Sequence, residues 1–150
     1  MIVKNESHVI YDTLVNLWEN IQFDYFVVSD TGSTDNTKEI IENFFKTKNV
    51  PGEIHDDEWK DFGHNRTLAL QHGFACPSRF LFMFDADDRI QGKLDLPDLE
   101  KLCNPGFPTQ FMLSFGIGFI YYRPLIFDNN FKWRFVGVLH EYADTFDGGH

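Results

Sequence analysis

The residues best suited to chemistry lie in a short acidic segment, Asp85-Ala86-Asp87-Asp88, which directly follows an apolar run over residues 80–84. Side chains in an extended segment repeat every two residues, so Asp85 and Asp87 are expected to point the same way. They can share one divalent cation, or one can bind a cation while the other binds a ribose. Aspartates after a strand also cap helices, so the segment alone does not establish a ligand site.

Two further polar clusters follow predicted strands, and the charge of the chain limits what they can bind. Lys4-Asn5-Glu6 follows an apolar pair at residues 2–3, and residues 30–35 follow an apolar run at 25–28. In an open α/β sheet, ligands bind beyond the carboxyl ends of the strands. The chain has 13 basic and 23 acidic residues, a net charge of −10. Such a chain repels phosphate backbones, so nucleic acid is excluded as a partner and a phosphorylated ligand needs a bridging cation.

Helical and strand patterns alternate over the first part of the chain. The predicted helices cover residues 7–19 (with Ser7 as the cap), 36–46 and 64–74, and the predicted strands cover residues 2–3, 25–28, 53–55 and 80–84. This alternation predicts an α/β fold with a mostly parallel central sheet flanked by helices, and residues 80–84 as its last strand. Strand patterns at 111–115 and 119–123, and alternating aromatics over 131–135, predict a smaller antiparallel or mixed part.

The length and the apolar pattern bound the organisation of the chain. A chain of 150 residues fits a single domain. The longest apolar runs fall far short of the ~20 residues that a membrane span needs. The first residues do not resemble a signal peptide, and two cysteines are too few for a disulfide framework. We therefore predict a cytoplasmic protein with no membrane span.

Five sequence blocks, in this order, resemble the family 2 glycosyltransferases over residues 1–141. The blocks are residues 1–6, 29–37, 62–66, 84–88 and 133–141. The resemblance implies the GT-A fold and transfer of a sugar from a nucleoside diphosphate sugar, with a UDP-sugar as the expected donor. It implies an inverting transfer to a hydroxyl acceptor (a glycan, a protein or a small molecule) and dependence on Mn²⁺ or Mg²⁺. It also implies that residues 1–88 bind the nucleotide and that residues 89–150 complete the acceptor and metal sites.

The resemblance also implies roles for individual residues. Asp30 would accept a hydrogen bond from the base, commonly uracil, and Arg66 would lie near the base or the diphosphate. Asp87 would bind the metal, with His140 as its second protein ligand. Because Mn²⁺ accepts both carboxylate and imidazole ligands, His140 favours Mn²⁺. The remaining residues of the expected donor site are Val3, Asn5 and Glu6 in the nucleoside pocket, Asp85 near the ribose, and Ala86 beside it. The sequence has His64-Asn65-Arg66 where the family more often has Ala-Arg-Asn.

Several alternatives stay open at this level. An inverting transfer needs a carboxylate base for the acceptor hydroxyl, and Glu141 and Asp88 are both candidates. A module that binds nucleotide sugars without turnover and a sugar nucleotidyltransferase are the competing functions. Family members continue beyond the last block, whereas this sequence ends at His150. We therefore expect a truncated chain, a domain of a larger parent chain, or an acceptor bound across a homodimer.

Overall fold

The computed structural model describes residues 1–21, 23–91, 96–116, 118, 120–137 and 141–146. The chain forms two compact units that alternate along the sequence. The first comprises Met1–Asp61 and Phe84–Pro97, and the second comprises Phe62–Met83 and Asp98–His150. No helix in the described part of the chain is long and apolar enough to cross a membrane.

The first unit is built on a parallel sheet. Its elements are β1 (Ile2–Val3), α1 (Ile10–Asn20), β2 (Phe26–Asp30), α2 (Thr37–Lys48) and β3 (Gly52–Asp56). The strands pair in the order β1-β2-β3, and all pairs are parallel. Val3 is aligned with Asp30, and Asp30 with Asp56, so these residues form one row at the carboxyl end of the sheet. The predicted alternation of strands and helices is confirmed for this unit.

Apolar side chains from both helices, β1 and β2 form most of the core of the first unit, and Ile54 of β3 packs against it. Phe26 of β2 packs edge-on against Phe44 of α2, with ring centroids 5.9 Å apart. The other members of this core are Val3, Ile10, Leu14, Val28, Ile41, Val50 and Ala86. This burial holds the carboxyl ends of β1 and β2 in place beneath the polar loops that follow them.

The start of α1 differs from the sequence prediction. The helix begins at Ile10 with Val9 as its N-cap, and no side chain caps it. The Glu6 carbonyl accepts hydrogen bonds from the amides of Val9 and Ile10 instead, at 3.0 and 2.8 Å. The prediction that Ser7 caps this helix is wrong, because the chain at Ser7 faces another loop and its amide donates to Asp35 at 3.2 Å.

The second unit is mostly antiparallel. Its elements are α3 (Phe62–Phe74), β4 (Phe80–Phe82), α4 (Leu99–Leu102), β5 (Gln110–Phe115), β6 (Tyr121–Asp128), β7 (Trp133–Val136) and β8 (Tyr142–Thr145). One sheet has the order β4-β6-β5, and β7 pairs with β8 in a separate hairpin. The antiparallel character predicted for the C-terminal part is confirmed. Phe127 lies in the core of this unit, and its ring packs against Trp133 at 5.2 Å and Phe135 at 5.9 Å.

The pairing of the strand at residues 80–84 differs from the expectation. We expected this segment to be the last strand of the parallel sheet, but β4 covers three residues and pairs antiparallel with β6. An apolar run indicates that a strand is buried, and it carries no information about the direction of its neighbour. The assignment of residues 1–88 to the nucleotide and 89–150 to the acceptor stays a prediction about function.

Candidate functional site

Asp30 presents a buried acceptor atom at the end of β2. The residue is only 2% exposed. Its Oδ1 accepts hydrogen bonds from the amides of Gly32 (2.9 Å) and Ser33 (2.7 Å), which close a tight turn. Gly32 has φ = +110°, a conformation that glycine adopts without strain. The second oxygen, Oδ2, is buried and has no hydrogen-bond partner in the described structure. Because an unpaired buried acceptor is costly, an N–H group of a ligand would stabilise this arrangement.

Asn5 locks the loop after β1 to the loop after β2. It adopts a left-handed conformation with φ = 51°, which asparagine tolerates better than most residues. Its Oδ1 accepts hydrogen bonds from the amides of Thr34 at 2.7 Å and Asp35 at 3.3 Å, and its own amide donates to Ser33 Oγ at 2.9 Å. Asn5, predicted to line the nucleoside pocket, therefore shapes the loop that carries Asp30.

Val3 and Glu6, also predicted for the nucleoside pocket, are held by hydrogen bonds to residues that follow β2. Val3 is 1% exposed, and its carbonyl accepts hydrogen bonds from the amide and the hydroxyl of Thr31, at 3.0 and 3.2 Å. The Glu6 amide donates to Thr37 Oγ1 at 2.9 Å. Burial raises the pKa of the Glu6 carboxyl, and the negative charge of Asp87 raises it further. The loop after β1 and the acidic segment are therefore electrostatically coupled.

The acidic segment brings three carboxylates together. One oxygen each from Asp85, Asp87 and Asp88 lies within 4.8 Å of the other two. The Asp88 amide donates to the Asp85 carbonyl at 3.1 Å, so the segment forms a turn. Oxygens that share one Mg²⁺ at about 2.1 Å lie at most about 4.2 Å apart, so small side-chain rotations would suffice to bind a cation of this size. The donor set fits a hard divalent cation.

Helix α1 anchors this acidic turn through polar side chains that we did not single out from the sequence. Thr13 Oγ1 donates to the Ala86 carbonyl at 2.5 Å. Asn16 and Ile90 exchange two hydrogen bonds, of 2.9 and 2.8 Å. Ala86 is 3% exposed, so its methyl group contributes to the core. The sequence did contain one signal for this contact. Thr13 and Asn16 are polar and three positions apart, and they share the side of α1 that carries buried Leu14 and Leu17.

Asp35 is a further residue that the sequence analysis did not single out. Its Oδ1 accepts hydrogen bonds from the amide (3.0 Å) and the hydroxyl (2.5 Å) of Thr37, and its Oδ2 accepts one from the Ser7 amide at 3.2 Å. The hydrogen bond from the Thr37 hydroxyl is the largest of the effects that lower the pKa of Asp35 to about 2. Asp35 therefore joins the start of α2 to the loop that carries Glu6.

In the second unit, the structure pairs two of the predicted site residues. Arg66 Nη1, on α3, donates to Oε1 of Glu141, which directly precedes β8. The guanidinium also lies over the Phe62 ring at 5.5 Å and the Phe135 ring at 5.8 Å. Arg66 was predicted to contact the base or the diphosphate, and Glu141 was a candidate base. The structure thus places a charged pair where the sequence suggested two separate roles.

The predicted site residues divide into two groups. The first unit brings together the residues of the expected donor and metal site, which are Val3, Asn5, Glu6, Asp30, Asp85, Ala86, Asp87 and Asp88. The second unit brings together Arg66 and Glu141. His140, the predicted second metal ligand, lies outside the described residues.

The first unit carries the acidic turn beside its parallel sheet, and the second unit contains antiparallel sheets. The family described as Glycosyl transferase family 2 matches residues 1–142. The chain therefore belongs to the family 2 glycosyltransferases. This membership implies the GT-A fold, of which the described residues form a part. A search of curated proteins finds no match to the chain.

Proposed function

We propose that this domain transfers a sugar from a nucleoside diphosphate sugar, with UDP as the carrier, to a hydroxyl acceptor in a metal-dependent, inverting reaction. The observation that carries the proposal is the convergence of Asp85, Asp87 and Asp88, whose ligand oxygens lie within 4.8 Å of one another in a family 2 domain. The acceptor, whether a glycan, a protein or a small molecule, stays open.

The unpaired oxygen of Asp30 supports a uracil base. Oδ2 can only accept a hydrogen bond while the carboxylate is ionised. Uracil carries an N–H group between its two carbonyls and guanine carries one at N1, whereas cytosine and adenine carry a bare ring nitrogen at the equivalent position. The choice of uracil over guanine rests on the family resemblance. The turn at Gly32 and Ser33 occupies Oδ1 and leaves Oδ2 for that N–H group.

The carboxylates of the acidic turn would hold the cation. Asp87 is the principal ligand in this proposal, with Asp85 and Asp88 beside it, and His140 is retained from the family resemblance. When bound, Mn²⁺ or Mg²⁺ neutralises the charge that develops on the diphosphate as the sugar–phosphate bond breaks. A chain with a net charge of −10 offers little alternative compensation for that charge.

The acceptor hydroxyl needs a base, and two carboxylates are the candidates. Asp88 belongs to the acidic turn, where a bound cation would compete for its oxygens. Glu141 pairs with Arg66 through Oε1, and a carboxylate has a second oxygen that can take a proton. We favour Glu141 as the base for this reason.

Titration with UDP and assays of UDP or GDP release test the proposed function. UDP should bind in the presence of Mn²⁺ and lose most of its affinity in excess EDTA, and one nucleotide sugar of a UDP- and GDP-sugar panel should be turned over. Asp87→Asn should abolish both Mn²⁺-dependent UDP binding and turnover. The control is Asp98→Asn, which should change neither, because Asp98 is exposed and pairs with Lys101. Binding without turnover would identify a nucleotide-sugar-binding module. Release of pyrophosphate from a nucleoside triphosphate and a sugar phosphate would identify a nucleotidyltransferase.

A further inference from the structure

Arg66 and Glu141 form a largely enclosed ion pair. Their side chains are only 16% and 15% exposed. The guanidinium of Arg66 also contacts the faces of two aromatic rings, Phe62 at 5.5 Å and Phe135 at 5.8 Å. A planar guanidinium bound to a carboxylate and to two rings has few alternative orientations.

The backbone around Arg66 is tied to the hairpin that carries Glu141. The neighbouring Thr67 accepts a hydrogen bond from the Phe135 amide at 2.9 Å and donates to the Gly63 carbonyl at 2.8 Å. Phe135 belongs to β7, and Glu141 directly precedes β8, the strand that pairs with β7. Helix α3 and the β7–β8 hairpin therefore hold the two charged groups at a fixed separation.

We propose that Arg66 is a positioning residue that orients Glu141 for proton transfer, and that it does not bind the diphosphate of the donor. This inference rests on the proposed function. If Arg66 moved away from Glu141 to bind the diphosphate, the Glu141 carboxylate would be left as an unpaired charge in a mostly enclosed site, which is strongly unfavourable. If the ion pair stays intact, donor binding does not have to supply the free energy of breaking it.

Arg66 is neither protonated nor deprotonated in the proposed transfer step. The acceptor hydroxyl oxygen forms a bond to the anomeric carbon of the sugar, and the hydroxyl proton passes to Glu141. The bond between the sugar and the phosphate breaks, and its electron pair leaves with the nucleoside diphosphate. Arg66 remains hydrogen-bonded to Oε1 of Glu141 throughout, so the other carboxylate oxygen is the one that takes the proton.

The same hairpin supplies a matched control. Arg134 on β7 lies opposite Asp144 on β8, with 3.5 Å between Nη2 and Oδ2, and its guanidinium lies over the Phe146 ring at 5.5 Å. This pair has the same chemistry as Arg66 and Glu141, but its side chains are 42% and 26% exposed. If the arginines only stabilise the hairpin, substitution of either one should lower stability and activity alike. If Arg66 positions Glu141, only substitution of Arg66 should lower turnover.

The test measures UDP affinity and turnover separately in Arg66→Gln, Arg66→Lys and Arg134→Gln. UDP affinity is measured by calorimetry with Mn²⁺, and turnover as UDP release from the UDP-sugar that the panel selects. We expect Arg66→Gln to keep UDP affinity within about twofold while kcat falls at least about tenfold. Arg66→Lys keeps the charge and should recover part of that loss, and Arg134→Gln should change neither quantity.

A double variant tests whether Arg66 acts through Glu141. If it does, Arg66→Gln combined with Glu141→Gln should be no slower than Glu141→Gln alone, because both changes remove the same function. Loss of UDP affinity in Arg66→Gln with kcat retained would overturn the proposal in favour of a diphosphate ligand. A lowered melting temperature with full kcat in the folded protein would show a structural role only.

The wild-type protein separates failure of this inference from failure of the proposed function. If it releases no UDP or GDP from any nucleotide sugar, both proposals fall together. If it turns over a donor but the losses in the two single variants add in the double variant, only the role of Arg66 is refuted.

Discussion

The hydroxyl of Thr13 on α1 donates a hydrogen bond to the carbonyl of Ala86, in the middle of the acidic turn, at 2.5 Å. Thr13 is 1% exposed, and Ala86 is 3% exposed. The same hydroxyl also lies 3.1 Å from the Val9 carbonyl. A residue within the first helix thus fixes the backbone between the two aspartates that are expected to bind ribose and metal.

The first prediction concerns this anchor. Thr13→Val keeps the shape of the side chain and leaves the buried Ala86 carbonyl without its donor, which should destabilise the protein by about 1–3 kcal/mol. Denaturant unfolding measures this loss, and Mn²⁺ affinity should fall as well, because the turn becomes less ordered. Thr47→Val, at an exposed position of α2, should stay within about 0.5 kcal/mol. Equal stability of both variants would show that the hydrogen bond does not hold the turn.

The second prediction concerns Asp30. In Asp30→Asn, the amide oxygen can still accept from Gly32 and Ser33, so the turn should persist. The amide NH₂ then replaces Oδ2 and presents a donor to the N–H group of the base. UDP affinity should fall by about 1–3 kcal/mol, or about 5- to 150-fold. Calorimetry measures this change, and Asp56→Asn on the neighbouring strand, where the carboxylate pairs with Lys38, is the control. Unchanged UDP affinity in Asp30→Asn would remove Asp30 from the base pocket.

Much of the fold could be predicted from the sequence because its pattern is local. Helix and strand periods placed α2, α3 and β2 close to their observed bounds, and the alternation of elements predicted the parallel sheet of the first unit. The partner of β4 could not be predicted in this way, because an apolar run does not specify which strand lies beside it. β8 was also missed, since Tyr142–Thr145 lacks the alternation that identifies a strand.

The sequence predicted which residue types form the candidate site, but not the contacts that hold them in place. The sequence predicted that Asp85 and Asp87 point the same way, and their ligand oxygens do lie close together with one of Asp88. The extended backbone assumed for that prediction is wrong, because residues 85–88 form a turn. The contacts that hold the site could not be predicted, because they join distant positions. Arg66 and Glu141 are 75 residues apart, and Thr13 and Ala86 are 73 residues apart. Such pairs depend on how the elements pack: a local pattern can indicate that a polar residue such as Thr13 is buried, but it does not indicate which residue it contacts.

The third prediction concerns acid stability. Hydrogen bonds from Thr37 and Ser7 lower the pKa of Asp35 in the folded protein to about 2, from an ordinary value of 3.8. Since the folded-state pKa is the lower one, Asp35 contributes stability that is fully present above about pH 4 and is lost as the pH falls towards 2. The stability difference between wild type and Asp35→Asn should therefore be largest near pH 5 and shrink by pH 2. Denaturant midpoints at several pH values test this, with Asp24→Asn, at an exposed position before β2, as the control. A difference that does not change with pH would contradict the role of these hydrogen bonds.

The last prediction concerns the metal. A cation that binds only the folded state stabilises it by mass action, so Mn²⁺ at about 100 times its Kd should add about 2.7 kcal/mol to the free energy of unfolding. Asp87→Ala should remove most of this gain, and so should His140→Ala if the histidine is the second ligand that the resemblance implies. The two losses should not add in the double variant, because each change breaks the same site. Melting temperatures with and without Mn²⁺ measure the effect, and His72→Ala on α3 serves as the histidine control. If His140→Ala keeps the full gain while Asp87→Ala loses it, the metal belongs to the acidic turn alone. If Mn²⁺ stabilises none of the proteins, including the wild type, the metal-dependent mechanism itself is wrong.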